Sequence, residues 1–562
     1  MRATACVLSL VLLGCDVDPP PIGYALRAAW RSETFDGCVL ASPLLDDARA
    51  HLIVLSGDGR VVALDPVTGA TAWSVSLPHA DGELAHVIAT PHVMGDRLFV
   101  AWQDVDAAAG DPAAAPRSAH HVAVIDLATG AIDPSYETLT LAASVPSRDG
   151  TGDVEFLASN ALSRSRLVGF SDAAHPEGLV YVSFGNARDI QPWHGWVFEL
   201  DVAAWRAGGA DDAIASVLLT TPTNDCGTPG VSGSTDMICG GGVWSPAGPL
   251  LLGDSLIVPT GNGALDPPGG LYAHTLMRVG LPGLTWNDGC DEALCAGFDP
   301  LDVSRACIES CGDLFVPRLR PADPPFDVPD CAGLSFFECY AALDWDLGAD
   351  TPSYVTLSGL ELLVLSQKDG GVSLIDAGHL GTMHDRLQAT DLCGAESAEC
   401  AASWAGMMVT QPVILPVDEG EALAVVASFM PDETHPAGLV GVRVIAAPTP
   451  HLERAWSYPA RDDVEAVSHF RRHPGQPTIV DLDGIPHVVV VEQGGTPRRT
   501  DQGTLHLVRA SDGALVHRAA IEGPGQRFAR PAVDGRRLMF PDCENGNAGP
   551  GWIEAFDVIA AP

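Results

Sequence analysis

Residues 51–77, HLIVLSGDGRVVALDPVTGATAWSVSL, decide the fold. Apolar residues fill HLIVL, Gly57-Asp58-Gly59 turns the chain, RVVAL makes a second strand, and Thr68-Gly69 turns into a third that carries Trp73. The same grammar recurs as RLFVAWQD with HHVAVIDLATGAI (97–132), GLVYVSFGN with HGWVFELDVAAW (178–205) and DSLIVPTGNG with HTLMRVGLPGLTW (254–286). It returns as LELLVLSQKDGGVSLIDAGHLG (360–381), as ALAVVASF and LVGVRVIAA followed by Trp456, as HVVVVEQGG with GTLHLVRASDGALVH (487–517), and as RRLMFPDCENGN with GWIEAFDVI (536–559).

Eight such units are too small to bury their own faces, so they are expected to pack radially as an all-β, eight-bladed propeller. The last unit ends without its Trp-bearing strand, whereas YALRAAWRSE (24–33) is such a strand with no unit of its own. The N-terminal strand is therefore expected to complete the eighth blade and remove two exposed edges. A Cys38–Cys543 disulfide at that seam is a corollary.

The 562 residues are 46% hydrophobic and 18% charged, with 72 acids against 31 bases and a formal charge of −41. Such a surface repels nucleic acid and anionic lipid, so neither is an expected partner. All the bases are Arg except one, Lys368. Arg2 precedes an apolar run, Ala3 to Leu13, which is too short to span a bilayer and suits a signal segment. Removing Cys6 and Cys15 from the 14 cysteines leaves an even set in an exported chain, so disulfides are expected. No paired CxxC or HExxH supports a zinc site, no CxxCH supports attached haem, and no GxSxG supports a serine hydrolase. Asp481-Leu482-Asp483-Gly484 opens like a calcium loop but lacks the remaining ligands and reads as a β-turn.

Leu12-Leu13-Gly14-Cys15 resembles a bacterial lipobox, which implies a signal peptide over 1–14, acylation of Cys15 and a short tether over 15–23. The propeller would occupy 24–562, with a Cys-rich, disulfide-stapled insertion at about 287–342 that could cap the axial pocket. GDGRVVALDPVTGATAW closely resembles the repeat of pyrroloquinoline quinone (PQQ) enzymes and their non-catalytic relatives, such as BamB-type assembly scaffolds. GVSGSTDMICGGGVWSPAGPLLLGDSLIVPTGN looks like the quinoprotein segment in which a Trp floors the quinone and an Asn binds metal, which implies those roles for Trp244 and Asn262. ALDWDLGADTP resembles the D-x-D segment of the catalytic base, implying Asp344 as base and metal ligand and Asp346 as a further metal-side carboxylate. QKDGGVSLID resembles the segment whose cation contacts the quinone carbonyl, implying Lys368. Calcium is the implied metal, or a lanthanide, since D-x-D supplies an additional carboxylate.

In the third unit the family has a Glu metal ligand; FGNARDIQPWHGWVF has none, and Asp189 is the nearest carboxylate. Each residue also has a plain structural reading. Trp244 would pack blades like Trp73 and Trp456, Asn262 would take positive φ in a Gly-Asn-Gly turn, the two Asp would be solvated, and Lys368 would sit in a hairpin turn. Two functions follow. One is a lipid-anchored, periplasm-facing or surface-exposed monomeric dehydrogenase, taking a small alcohol-type substrate and an external electron acceptor. The other is a non-catalytic envelope lipoprotein that binds protein or polysaccharide.

Overall fold

The computed structural model describes residues 23–109, 115–186, 190–227, 239–298, 305–317, 344–390, 407–429, 437–460, 469–494, 502–545 and 548–561. The proposed signal, tether and Cys15, the Asp189 position, most of the insertion with Cys331 and Cys339, and Cys393 and Cys400 lie outside the described residues.

Short β-branched runs separated by Asp-Gly and Thr-Gly turns build antiparallel sheets of four principal strands, and eight of them follow one another around a ring. In the first, Leu44–Asp46, His51–Leu55, Arg60–Leu64 and Thr71–Ser76 pair in chain order. Alternating side chains leave each sheet through both faces, so a core forms between every pair of neighbouring blades. Val54 and Leu64 meet Met539 and Ile553 between the last blade and the first. Val440 and Val442 meet Val364 and Leu374 between the fifth and sixth.

The ring closes as expected. Tyr24–Arg31 pairs with Gly551–Ala560, from Tyr24 opposite Ala560 to Arg31 opposite Glu554, and completes the sheet of Ala532–Asp534 and Arg537–Cys543. The Cys38–Cys543 disulfide fastens this seam across 505 residues of sequence. With Cys226–Cys239, Cys290–Cys311 and Cys295–Cys307 it marks a chain that matures in an oxidising, extracytoplasmic compartment.

The repeat tryptophans act as blade clamps. Trp30 covers Gly69 of the first blade, Trp73 covers Gly130 of the second, and Trp456 covers Gly513 of the seventh. A Cβ at any of these left-handed glycines would lie within 2.4 Å of the indole, so only Gly turns the chain and admits the ring. Trp30 and Trp456 also donate their indole N–H groups to Pro66 O and Ala510 O.

Two elements depart from the repeat. Trp205 lies on a short helix, Val202–Gly208, capped by Asp201, which accepts from Ala204 N; Ile214–Leu219 supplies the outer strand instead. In the fourth blade the Trp286 segment doubles back through Leu281-Pro282-Gly283, where Gly283 has φ 91°, and Gly280 and Thr285 bond to each other. The outer strand is Leu314–Phe315, from the Cys-rich segment, paired with Leu276 and Met277. The described part of that segment packs in the core between the third and fourth blades, and none of it lines the axial cavity. Asp481–Gly484 is a β-turn in which Gly484 N donates to Asp481 Oδ1.

Candidate functional site

The innermost segments of the blades line an axial cavity of about 370 Å³. Trp244, Asn262, Asp344, Asp346 and Lys368 all face it. Lys368 sits in the hairpin turn between Leu360–Ser366 and Gly371–Asp376, but it is not a surface residue. Its ammonium is buried and donates to Asp346 Oδ2 at 2.5 Å and Asp344 Oδ1 at 3.3 Å, and it lies 4.9 Å from the Trp244 ring centroid. The turn is fixed from behind: Asp369 accepts from Arg386 at 2.6 Å and from Gly371 N at 2.9 Å, which aims the preceding lysine inward.

Trp244 is not a blade clamp. Gly185, Gly261 and Gly348 surround it, and a Cβ on Gly348 would stand 2.4 Å from its Nε1 and 2.9 Å from Asp346 Oδ1. Ser245 next to it is tied to the D-x-D segment through Thr351 Oγ1 at 2.6 Å and Ala349 O at 3.0 Å, so floor and carboxylates move as one body. Asn262 keeps an ordinary φ, and Gly263 takes the positive one at 147°. Asn262 Nδ2 donates to Asp344 Oδ1 at 2.7 Å, while its own Oδ1 is buried with no hydrogen-bond partner among the described residues. Asp344 carries φ +58°, a left-handed conformation that a non-glycine residue adopts at a cost.

Burial is the largest influence on Asp344; opposed by Lys368 and reinforced by Asp346, it pushes this carboxyl up to about 6. Asp350, fully buried behind the lysine, is raised well above the carboxylate range by desolvation. Burial works against the Lys368 ammonium, but Asp344 and Asp346 outweigh it and hold its pKa above that of free lysine. His274 is kept neutral by burial and by Lys368, at about 3.

Sequence reading missed the remaining wall. Arg117, Arg164 and Arg527 line the same cavity, and Arg164 and Arg527 have no carboxylate partner among the described residues. Arg164 lies 5.9 Å from the Trp244 ring, and burial together with Arg527 lowers its pKa to about 9. These arginines come from distant blades at no common spacing, so only the closed ring reveals them. The cavity is thus polarised between a Lys-Asp cluster and an arginine cluster, beside one indole face.

Residues 27–161 match a family model described as outer membrane protein assembly factor BamB. No curated protein matches the sequence. Among solved structures, the chain is similar to a europium-containing methanol dehydrogenase at 12% identity and TM-score 0.55, covering 95% of this chain and 93% of that one. It is similar at 13% identity to the quinohemoprotein alcohol dehydrogenases of Comamonas testosteroni (TM-score 0.51) and Pseudomonas putida HK5 (TM-score 0.52), covering 96% of this chain and 77% of each. At these identities the likeness establishes the fold. The architecture is an eight-bladed β-propeller, and the repeat over residues 27–161 is that of the matched family model.

Proposed function

We propose that the chain is a quinoprotein dehydrogenase of the cell envelope, holding PQQ against Trp244 and oxidising an alcohol-type substrate. One observation carries the reading: Trp244, Asn262, Asp344, Asp346 and Lys368, drawn from separate segments, meet around one cavity. The residues present fit the cofactor. A planar quinone bearing carboxylates needs a flat aromatic face, cations for its anionic edge and a donor for its carbonyl, which Trp244, Arg117, Arg164, Arg527 and Lys368 provide. They also fit a hard cation, calcium or a lanthanide, because Asn262 Oδ1 is an orphaned oxygen beside the Asp344 and Asp346 carboxylates. Bound there, the cation and quinone would supply the electrophilic carbonyl that accepts hydride.

The chain's own residues do the rest. Asp344, poised at about 6, takes the alcohol proton, and its partly exposed carboxylate can be reached by substrate, with 29% of the side chain accessible. Lys368 pairs with Asp346 at 2.5 Å and presents positive charge where negative charge develops. The glycines around Trp244 allow ring and carboxylates their close approach. Electrons pass to an external acceptor. Acylated Cys15 would anchor a monomer to the membrane facing the periplasm or the cell surface.

The second reading, an envelope scaffold that binds protein or polysaccharide, is favoured by the match of residues 27–161 to the BamB family model. A scaffold has no need of a lysine aimed at buried carboxylates. The test is reconstitution of the chain from Asp16 onward with PQQ and calcium, then lanthanum, followed by absorption spectra and dye-linked alcohol oxidation. A bound quinone spectrum with turnover is expected; a protein that binds no quinone is the scaffold.

A further inference from the structure

A second, smaller cavity of about 80 Å³ is lined by neighbouring positions on the same inner segments. Inner segments pass from one to the other within two or three residues: Arg164 to Arg166, Trp244 to Pro246, Val409 to Gln411, His473 to Gln476, and Phe528 to Arg530.

Among the described residues the second cavity has no acidic residue in its lining, which is unusual in a chain with 72 acids and 31 bases. Arg166 and Arg530 face it together with Ser42, Thr90, Gln411 and Gln476. Arg530 donates to Gln411 Oε1 at 3.0 Å and its backbone N–H to Ser42 Oγ at 2.9 Å, both neutral acceptors. Arg166 has no hydrogen-bond or carboxylate partner among the described residues. Burial, with Arg166 adding repulsion, brings Arg530 down to about 10. Gln476 is 2% exposed; its Oε1 accepts from Gln411 N at 2.8 Å, which orients the amide and leaves Nε2 as a buried donor with no partner among the described residues. Thr90 Oγ1 accepts from Ser42 N at 3.0 Å and keeps its own proton to donate.

We propose that this second cavity binds one small oxyanion, inorganic phosphate or sulfate, held by the Arg166 and Arg530 guanidiniums and the Gln476 amide. Two facing cations and a stranded donor form an incomplete set that one oxyanion completes. The volume falls far below the 300–1,000 Å³ or so of organic-ligand pockets, so the occupant is an ion rather than a second cofactor. Its residues come from the first, second, third, fourth, sixth, seventh and eighth blades and their connections, so the ion links much of the ring. The inference is independent of quinone binding.

The experiment is calorimetric titration of inorganic phosphate, and separately sulfate, into the full chain at constant ionic strength in chloride, with melting temperature as second readout. One phosphate or sulfate per chain and a rise in melting temperature that chloride does not give are expected. Arg166→Gln, at an exposed position, is expected to weaken binding about tenfold or more. The Arg164→Gln/Arg527→Gln pair is expected to leave it unchanged. Gln476→Glu puts a carboxylate between the arginines, so it is expected to raise the melting temperature of the ion-free protein and abolish the response to phosphate. No binding by wild type, or loss in the Arg164→Gln/Arg527→Gln pair while Arg166→Gln binds normally, would overturn the proposal.

Discussion

Two buried polar clusters stand on this ring, and they are built to different rules. In the seventh blade, Glu492 Oε2 accepts from His469 at 2.9 Å and His506 at 2.7 Å, while Oε1 accepts from Phe470 N. His506 Nδ1 meets the Tyr458 hydroxyl at 2.9 Å, and His469 Nε2 accepts from Arg518 at 2.8 Å. Both carboxylate oxygens and all the imidazole nitrogens have partners. At the axis, Asn262 Oδ1 lacks a hydrogen-bond partner among the described residues, and Asp344 holds a left-handed backbone. The first cluster is complete and ties strands together, although its His-Glu-His composition could hold a metal ion. The second is incomplete, and an incomplete buried set is costly unless a ligand finishes it.

The comparison is tested most severely by Asp344→Asn, which keeps the shape and removes the base. Turnover of reconstituted protein is expected to fall about 10²–10⁴-fold with quinone retained, read as dye-linked rate against quinone absorbance. Glu492→Ala is expected to do the reverse. It strands two histidines in the core and lowers stability by about 3 kcal/mol in urea unfolding, with quinone affinity unchanged. Equal effects of both on turnover would erase the distinction.

Gly348→Ala places a methyl against the Trp244 indole and Asp346, and is expected to weaken quinone binding about tenfold and to cost about 1–3 kcal/mol of stability. The smallest effect is on pH. In metal-free protein Asp344 holds its proton up to about 6 in the fold, against an ordinary carboxyl value of 3.8. The folded state therefore binds more protons than the unfolded one across that window, and this residue makes stability fall as pH rises through it. Urea midpoints on either side of the window are expected to differ less in Asp344→Asn than in wild type.

The ring was legible because each blade repeats its own local instructions: alternating apolar residues, an Asp-Gly or Thr-Gly turn, and an unmatched Trp strand at the start. Resemblance to quinoprotein segments pointed to Trp244, Asn262, Asp344, Asp346 and Lys368, which the closed ring gathers around one cavity, and the lone lysine stood out by composition. What escaped reading was long-range or non-periodic. The arginines of both cavities share no spacing, since the ring alone brings Arg117, Arg164 and Arg527 together. The outer strand of the fourth blade escaped because a Leu-Pro-Gly turn sends the Trp286 segment back and lets Leu314 and Phe315 take its place. The helix at Trp205 escaped because its Asp201 cap lies inside an otherwise regular repeat.

The central claim is that the axial set around Trp244 is a quinone site. Equilibrium titration of PQQ with calcium, followed by quenching of protein fluorescence and by calorimetry, tests it most directly. One PQQ per chain is expected, weakened at least tenfold in Lys368→Ala and unaffected in Glu492→Ala. Absence of saturable binding by wild type, or equal binding by the wild-type and Lys368→Ala proteins, would contradict it.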